Sequence, residues 1–199
     1  MRIPTLETER LLLRPPEADD LDALAALGAD PDVMRYIGPG TTYSRAVAEE
    51  WLARLLEEGR VGVPGPPGLP GWLVVIVKAG GGWAGLAALK ILAGQHAEAI
   101  GIDPAVELGY RLGQDFWGQG YATEAADALV RYGFEELGLP LITAIADARN
   151  RSSNQVLGKA GLVYRKTYTL DGRTILFHSL SREEFRRATA GGKSVKGAP

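Results

Sequence analysis

Residues 107 to 124 read Glu107-Leu-Gly-Tyr-Arg-Leu-Gly-Gln-Asp-Phe-Trp-Gly-Gln-Gly-Tyr-Ala-Thr-Glu124. The run 106–112 alternates with the period of a strand, passes through a turn bearing Gly118 and Gly120, and enters an alanine-rich stretch with helical spacing. Glycine lets such a turn aim consecutive backbone N–H groups at one point, and the helix that follows adds the positive end of its dipole there. The pattern predicts a seat for phosphate, and the ligand it implies carries a diphosphate. Glycines in a strand-to-helix turn also serve as plain tight-turn residues, so the neighbours must decide.

Downstream, the helix is expected over residues 121–137, with Ala122, Ala125, Ala126, Leu129, Gly133 and Leu137 on one stripe and Gly138 and Pro140 as its stop. Residues 141–147 form a near-continuous apolar run, as in a strand covered on both faces. A short helix over 152–160 precedes a hairpin of 162–170 and 173–180 joined by Asp171-Gly172, the preferred turn chemistry. Upstream, residues 11–13 read as a first strand ended by Pro15-Pro16. A helix capped by Asp19 or Asp20 carries Leu21, Leu24 and Ala25 on one face until Asp30-Pro31 breaks it. A second, over 44–58, has Ser44 as its cap and Val47, Trp51, Leu52 and Leu55 as its stripe.

The four prolines and five glycines of residues 59–71 allow neither regular element, so a surface loop is expected there. The runs 72–78 and 83–92 flank Ala79-Gly80-Gly81-Gly82 as a hairpin does, and 93–104 reads as a polar loop. The order β, α, α, β, β, β, α, β, α, β, β predicts an α/β (α+β) fold. Its mixed, mostly antiparallel sheet of about seven strands is flanked by helices. One domain is expected over residues 8–185, and residues 188–199, without apolar periodicity, read as a disordered tail.

Composition narrows the function. The chain of 199 residues is 46% apolar, enough for the core of one domain. A net charge of -2, from 22 basic and 24 acidic side chains, gives no broad cationic field, so nucleic acid is not an expected partner. The lack of cysteine excludes disulfides, thiolate zinc sites, iron–sulfur ligation and a cysteine nucleophile. His96 and His178 stand apart from any metal-ligand spacing, so both read as structural and no metal is expected. No run approaches the roughly 20 apolar residues that span a bilayer, and residues 1–14 lack the apolar core of a signal peptide. A cytoplasmic protein with no membrane partner is expected.

Four ordered blocks resemble the GNAT family of acetyl-CoA-dependent N-acetyltransferases, and within it the ribosomal-protein N-terminal acetyltransferases of the RimJ/RimL type. They are Thr8-Glu9-Arg10-Leu11-Leu12-Leu13-Arg14-Pro15, Glu107-Leu108-Gly109-Tyr110, Trp117-Gly118-Gln119-Gly120-Tyr121-Ala122-Thr123-Glu124-Ala125, and Asn150-x-x-Ser153 leading to Lys159-x-Gly161-Leu162. The resemblance implies a sheet that splays at the acetyl-CoA site, where the pantetheine arm bonds to the backbone of Leu108, Gly109, Tyr110, Arg111 and Leu112 like an added strand. The N–H groups of Trp117, Gly118, Gln119, Gly120, Tyr121, Ala122 and Thr123 would hold the diphosphate, and Asn150 and Ser153 would meet the CoA arm and thiol region. Many family members carry Arg or Gln three residues before the first glycine of this turn. This chain has Asp115 there, so the backbone must hold more of the charge.

The implied chemistry is acetyl transfer from acetyl-CoA, as co-substrate, to a primary amine in a ternary complex. An ammonium cannot attack a thioester until a base removes its proton. Glu107 is the candidate base, directly or through water; strand alternation puts it on one face with Gly109 and Arg111. A strand N–H would stabilise the oxyanion, and the leaving thiolate needs a proton. Many relatives use a tyrosine where this chain has Leu157, so Ser153 is the matching donor and Tyr164 the reserve. Each residue has a plainer role open to it: Glu107 as an edge carboxylate, Ser153 as a helix cap, Asn150 as a turn residue. A non-catalytic acyl-CoA-binding module is the rival reading. The acceptor is either a protein N-terminus or a small-molecule amine, and the chain either a monomer or a homodimer.

Overall fold

The computed structural model describes residues 3–190. In chain order the strands are β1 (Leu6–Glu7), β2 (Leu11–Arg14), β3 (Gly71–Val77), β4 (Gly82–Leu92), β5 (Ala105–Leu112), β6 (Leu141–Asp147), β7 (Val163–Leu170) and β8 (Arg173–Ser181). The helices are α1 (Leu21–Ala29), α2 (Pro31–Met34), α3 (Arg45–Val61), α4 (Gln95–Ile100), α5 (Tyr121–Arg131), α6 (Arg151–Lys159) and α7 (Arg182–Ala190). One sheet holds all eight strands in the order β1-β2-β3-β4-β5-β6-β8-β7. Every neighbouring pair is antiparallel except β5 with β6, which runs parallel.

Local chemistry sets the element ends. The Ser44 side chain accepts from Val47 N–H at the start of α3, and Asp30 accepts from Asp32 and Val33 N–H ahead of Pro31 in α2. Asp171 (φ 49°) and Gly172 (φ 72°) turn β7 into β8 with two positive φ angles, the twist-matched hairpin geometry. The largest core lies between the sheet and α5–α6, where Leu89, Leu129, Ile142 and Leu157 are almost wholly buried. On the opposite face α1 and α3 cover Val74 and Leu86, while α4 covers Leu92, Ala105 and Phe177. Truncating such a core leucine to alanine costs about 2–5 kcal/mol.

The sheet holds eight strands, not about seven. The extra one, β1, has two residues paired to β2, too short for an alternation signal. The expected polar loop at 93–104 contains α4, begun at Gly94 without a side-chain cap and therefore without a sequence start signal. Helix α3 runs to Val61, into the stretch expected to be loop. The helix expected to reach residue 137 is α-helical to Arg131 and continues as a π-helical turn, Tyr132–Glu136. Residues 188–190, expected in a disordered tail, close α7, which Phe185 anchors by stacking on Phe134 at 4.9 Å. The rest of that tail lies outside the described residues. Among the described residues no helix is long and apolar enough to cross a membrane.

Candidate functional site

The register between β5 and β6 contains a single pair, Glu107 with Thr143, whereas β5 pairs with β4 along its whole length from Ala105 to Leu112. Beyond Glu107 the two parallel strands diverge. The backbone of Gly109, Tyr110 and Arg111 on the β6 side therefore lacks a strand partner, the edge condition that an extended ligand satisfies. Leu108 and Leu112 are 2% and 5% exposed in the main core, so their backbone is what they can offer.

The wide end of the splay runs into the glycine turn. Gly118 (φ 72°) and Gly120 (φ 83°) both hold left-handed conformations that cost other residues roughly 1–2 kcal/mol. Gly120 is the N-cap of α5, with no side-chain cap, and the first helical bond runs from Glu124 N–H to the Gly120 carbonyl at 3.0 Å. The N–H groups of Tyr121, Ala122 and Thr123 thus point out of the helix end, an arrangement suited to an anion. Trp117 is half exposed and its Nε1–H donates to the Leu112 carbonyl at 2.7 Å, tying strand end to turn; Gln119 Nε2 donates to the Asp115 carbonyl at 2.7 Å.

A cation does reach this turn, from the front of the chain. Arg10 Nη1 donates to the Gln119 carbonyl at 2.9 Å, the guanidinium lies 4.7 Å from the Tyr121 ring centroid, and its Nε donates to Glu124 Oε2 at 2.6 Å. Glu124 Oε1 also accepts from the Thr8 hydroxyl at 2.6 Å and from Arg10 N–H at 2.8 Å. Burial opposes ionisation of Glu124, yet these hydrogen bonds and the Arg10 charge together hold its pKa below the usual value. The block 8–15 is thereby clamped onto the first turn of α5. Beside this clamp opens a cleft of about 1060 Å³ lined by Thr8, Arg10, Gly120, Thr123, Asp127 and Lys159 among others. It adjoins the glycine turn and does not include Glu107.

On the α5–α6 face, Tyr110 bridges the splay to α6. Its hydroxyl donates to the Ser153 carbonyl at 2.9 Å and lies 3.0 Å from Ser153 Oγ, and burial drives its pKa far up, so it stays a proton donor. The cap of α6 is Asn150, whose Oδ1 accepts from Ser153 N–H at 3.1 Å; the Ser153 hydroxyl is left for Tyr110. Asn154, unmarked in the sequence reading, donates to the Asp147 and Asn150 carbonyls while its buried Oδ1 has no partner. Tyr164 is half exposed on the outermost strand and shares a hydrogen bond with Thr167, away from the Tyr110–Ser153 pair.

The opposite face carries Glu107, Gly109 and Arg111, as alternation predicts. Glu107 is 8% exposed and forms an ion pair with Lys90, its cross-strand neighbour on β4. His96 on α4 lies in the same region: its Nδ1 is 2.7 Å from the Tyr168 hydroxyl, and burial lowers its pKa despite the opposing charge of Glu107. Burial, with Glu107 adding to it, pushes Tyr168 up to about 12. Neither residue carried a motif in the sequence; only folding brings them to the carboxylate. Among the described residues no group of three or more His, Asp or Glu is placed to hold a metal ion.

The model of the family described as acetyltransferase (GNAT) domain matches residues 10–163. A Bacillus licheniformis protein named uncharacterized N-acetyltransferase p20 is 33% identical over 190 residues, covering 90% of this chain and 97% of its own. The Aspergillus fumigatus FsC-acetyl coenzyme A-N(2)-transacetylase is 31% identical over 168 residues, covering 83% of this chain and 67% of its own. A solved GNAT-family acetyltransferase from Bacillus anthracis superposes with a TM-score of 0.75 at 22% identity, over 90% of this chain and 99% of that one.

Proposed function

The chain belongs to the GNAT acetyltransferase family, and from that premise we propose that it transfers the acetyl group of acetyl-CoA to a primary amine by direct attack in a ternary complex. It is an acetyl-CoA-dependent acyltransferase; the acceptor, the branch and the residue roles are what is proposed. The observation that carries the reading is the single-pair splay between β5 and β6, opening onto the uncapped N-terminus of α5.

The site has the donor set that the co-substrate needs. Unpaired N–H groups at Tyr121 to Thr123 suit a diphosphate, and Arg10 supplies a nearby positive charge. The open edge of Gly109 to Arg111 suits an amide-bearing arm, as does the buried, unpartnered Asn154 Oδ1. Lys159, lining the cleft, is a candidate for the outlying phosphate. When bound, acetyl-CoA supplies a thioester carbonyl to be attacked and a thiolate to leave.

Glu107 is the proposed base. Its support is position: buried at the point where the strands part, on the face away from Tyr110 and Ser153, so that it addresses the amine and not the thiolate. Lys90 orients the carboxylate by its ion pair. The Ser153 hydroxyl is the proposed proton donor to sulfur, with Tyr110 as its hydrogen-bonded neighbour. The four sequence blocks support placement in the RimJ/RimL branch, with a protein N-terminus or a small amine as acceptor.

Calorimetry with CoA, ATP and NAD, followed by thiol-release measurements on amines and peptides, tests the proposal. CoA binding with amine-dependent thiol release is expected. Tight ATP binding with none to CoA would overturn it.

A further inference from the structure

The Glu107 face holds a partly buried cation that the fold leaves without a carboxylate. Arg111 projects from β5 on the Glu107 face, at the wide end of the splay, and its Nε is buried without a hydrogen-bond partner. The guanidinium lies 5.1 Å from the Trp51 ring centroid and 5.9 Å from that of Trp72, its Nη1 donates to Met34 Sδ at 3.6 Å, and the Tyr43 hydroxyl is beside it. No ion pair involves it among the described residues. Other cations of this face do have carboxylates: Lys90 has Glu107, while Arg149 and Arg173 share Asp147 at 2.7 and 4.0 Å. Aromatic faces and a thioether offset only part of the cost of burying a charge.

The guanidinium is also walled by aromatic side chains. Trp51 comes from α3, Trp72 from β3 and Tyr43 from the connection before α3, and Trp51 meets both other rings edge-on. The segment 35–40 that leads out of α2 is held from across the sheet. Arg173 on β8 donates from Nη1 to the Gly38 carbonyl at 2.9 Å and from Nη2 to the Arg35 carbonyl at 3.1 Å, and Arg149 lies 5.9 Å from the Tyr36 ring. A fork of guanidinium donors inside an apolar aromatic wall selects a planar anion, and a carboxylate fits it bidentately. Glu107 and Arg111 are four residues apart on one face, roughly 13 Å of strand, and the Trp72 ring packs over Gly109 between them, forming the floor on which an acceptor would lie. A molecule lying along that face presents its amine toward Glu107 and its other end to Arg111.

We propose that Arg111 is the carboxylate-binding residue of the acceptor site, so that the substrates are amines that also carry a carboxylate, as in an amino acid or an acidic N-terminal peptide. The inference rests on the acetyltransferase reading above. Its test uses matched acceptors differing only in the anion and long enough to reach both residues: 6-aminohexanoate and pentylamine, lysine and cadaverine, and the dipeptide amides Ala-Glu-NH₂ and Ala-Gln-NH₂. The wild-type enzyme should favour the carboxylated member of at least one pair by about 30-fold or more in kcat/KM, chiefly through KM. In Arg111→Met the acid should lose about 100-fold more than its partner, and Arg111→Lys should recover part of the preference. The free amino acids and the peptide separate the two sources of the carboxylate. No preference in the wild type, or equal losses for both members in Arg111→Met, would overturn the proposal and leave Arg111 a packing residue. Calorimetry with CoA on the same preparations keeps the two readings apart, since absent CoA binding sinks the acetyltransferase proposal instead. If CoA binds but no pair is turned over, tryptophan fluorescence decides, because Trp51 and Trp72 flank the guanidinium. An acid-specific change lost in Arg111→Met supports the site, and its absence overturns it. Should Arg111→Met fail to fold, Arg111→Lys alone should lower the acid preference about 10-fold.

Discussion

At one end of β5, the N–H groups of Tyr121, Ala122 and Thr123 leave the start of α5 together because Gly118 and Gly120 hold positive φ angles over three residues of chain. Along one face of the same strand, Glu107 pairs with Lys90 near His96 and Tyr168, which come from three different elements, and Arg111 meets Met34, Tyr43, Trp51 and Trp72 from four more positions. The first is a site made of backbone, local in sequence and tolerant of side-chain change. The second is made of side chains gathered over more than a hundred residues. Backbone sites constrain which residues may be absent, whereas side-chain sites constrain which must be present, and that difference orders the expected effects of mutation.

The largest effect should come from the side-chain end. Glu107→Gln is expected to lower kcat by roughly 10²–10⁴-fold, the usual worth of a general base, while calorimetric CoA affinity stays within a few-fold. A matching loss of CoA affinity would make Glu107 part of the sheet rather than of the chemistry. At the backbone end, Gly120→Ala forces a side chain into a left-handed conformation and toward Arg10 Nη2, which would lie 3.3 Å from the new carbon. Strain of about 1–2 kcal/mol predicts CoA binding weakened roughly 10-fold, with kcat at saturating CoA little changed. Unchanged affinity would break the assignment of the turn as a phosphate seat.

A smaller effect should follow from loosening the clamp between block 8–15 and that turn. Glu124→Gln weakens hydrogen bonds from Thr8 and Arg10, and a loss of about 1 kcal/mol in stability is expected. Because the folded-state pKa of Glu124 is depressed, its contribution is present above the unfolded value and lost as pH falls through the lower folded one. Urea titrations from pH 7 to pH 3 should therefore show a shallower acid slope in the variant. The smallest effect runs the other way. Burial raises Asp127, in the cleft beside α5, to about 6, so the wild type loses stability as pH rises from about 4 through 6. Asp127→Asn should gain about 1 kcal/mol at pH 7.5, reduced from the full shift because the group is partly exposed, or roughly 2–4 °C in Tm. The gain should vanish below pH 4. A thermal scan at both pH values checks it.

Much of the fold was legible because its signals are local. Asp171-Gly172 marks a hairpin, Ser44 starts a helix, and the apolar run 141–147 coincides with β6. What escaped was short or uncapped: β1 has two residues, α4 follows a glycine with no side-chain cap, and α7 ends where the lack of apolar periodicity suggested a tail. In the site, the glycine turn and the alternation of Glu107, Gly109 and Arg111 were readable from spacing. The partners of those side chains were not, since Lys90 reaches Glu107 through strand pairing and Arg10 reaches Gln119 across more than a hundred residues. Asp115 had suggested a turn without a side-chain cation. Arg10 supplies one from the bend between β1 and β2.

The sequence by itself determined a strand, a glycine turn and a helix in that order, because backbone conformation and helix polarity depend on neighbours a few residues apart. Only the tertiary structure decided that β5 and β6 part after one pair, that Thr8 and Arg10 close on Glu124, and that Arg111 sits among aromatic rings without a counter-charge. Burial and charge pairing are properties of packing, and no spacing along the chain encodes which distant groups will share the same small volume.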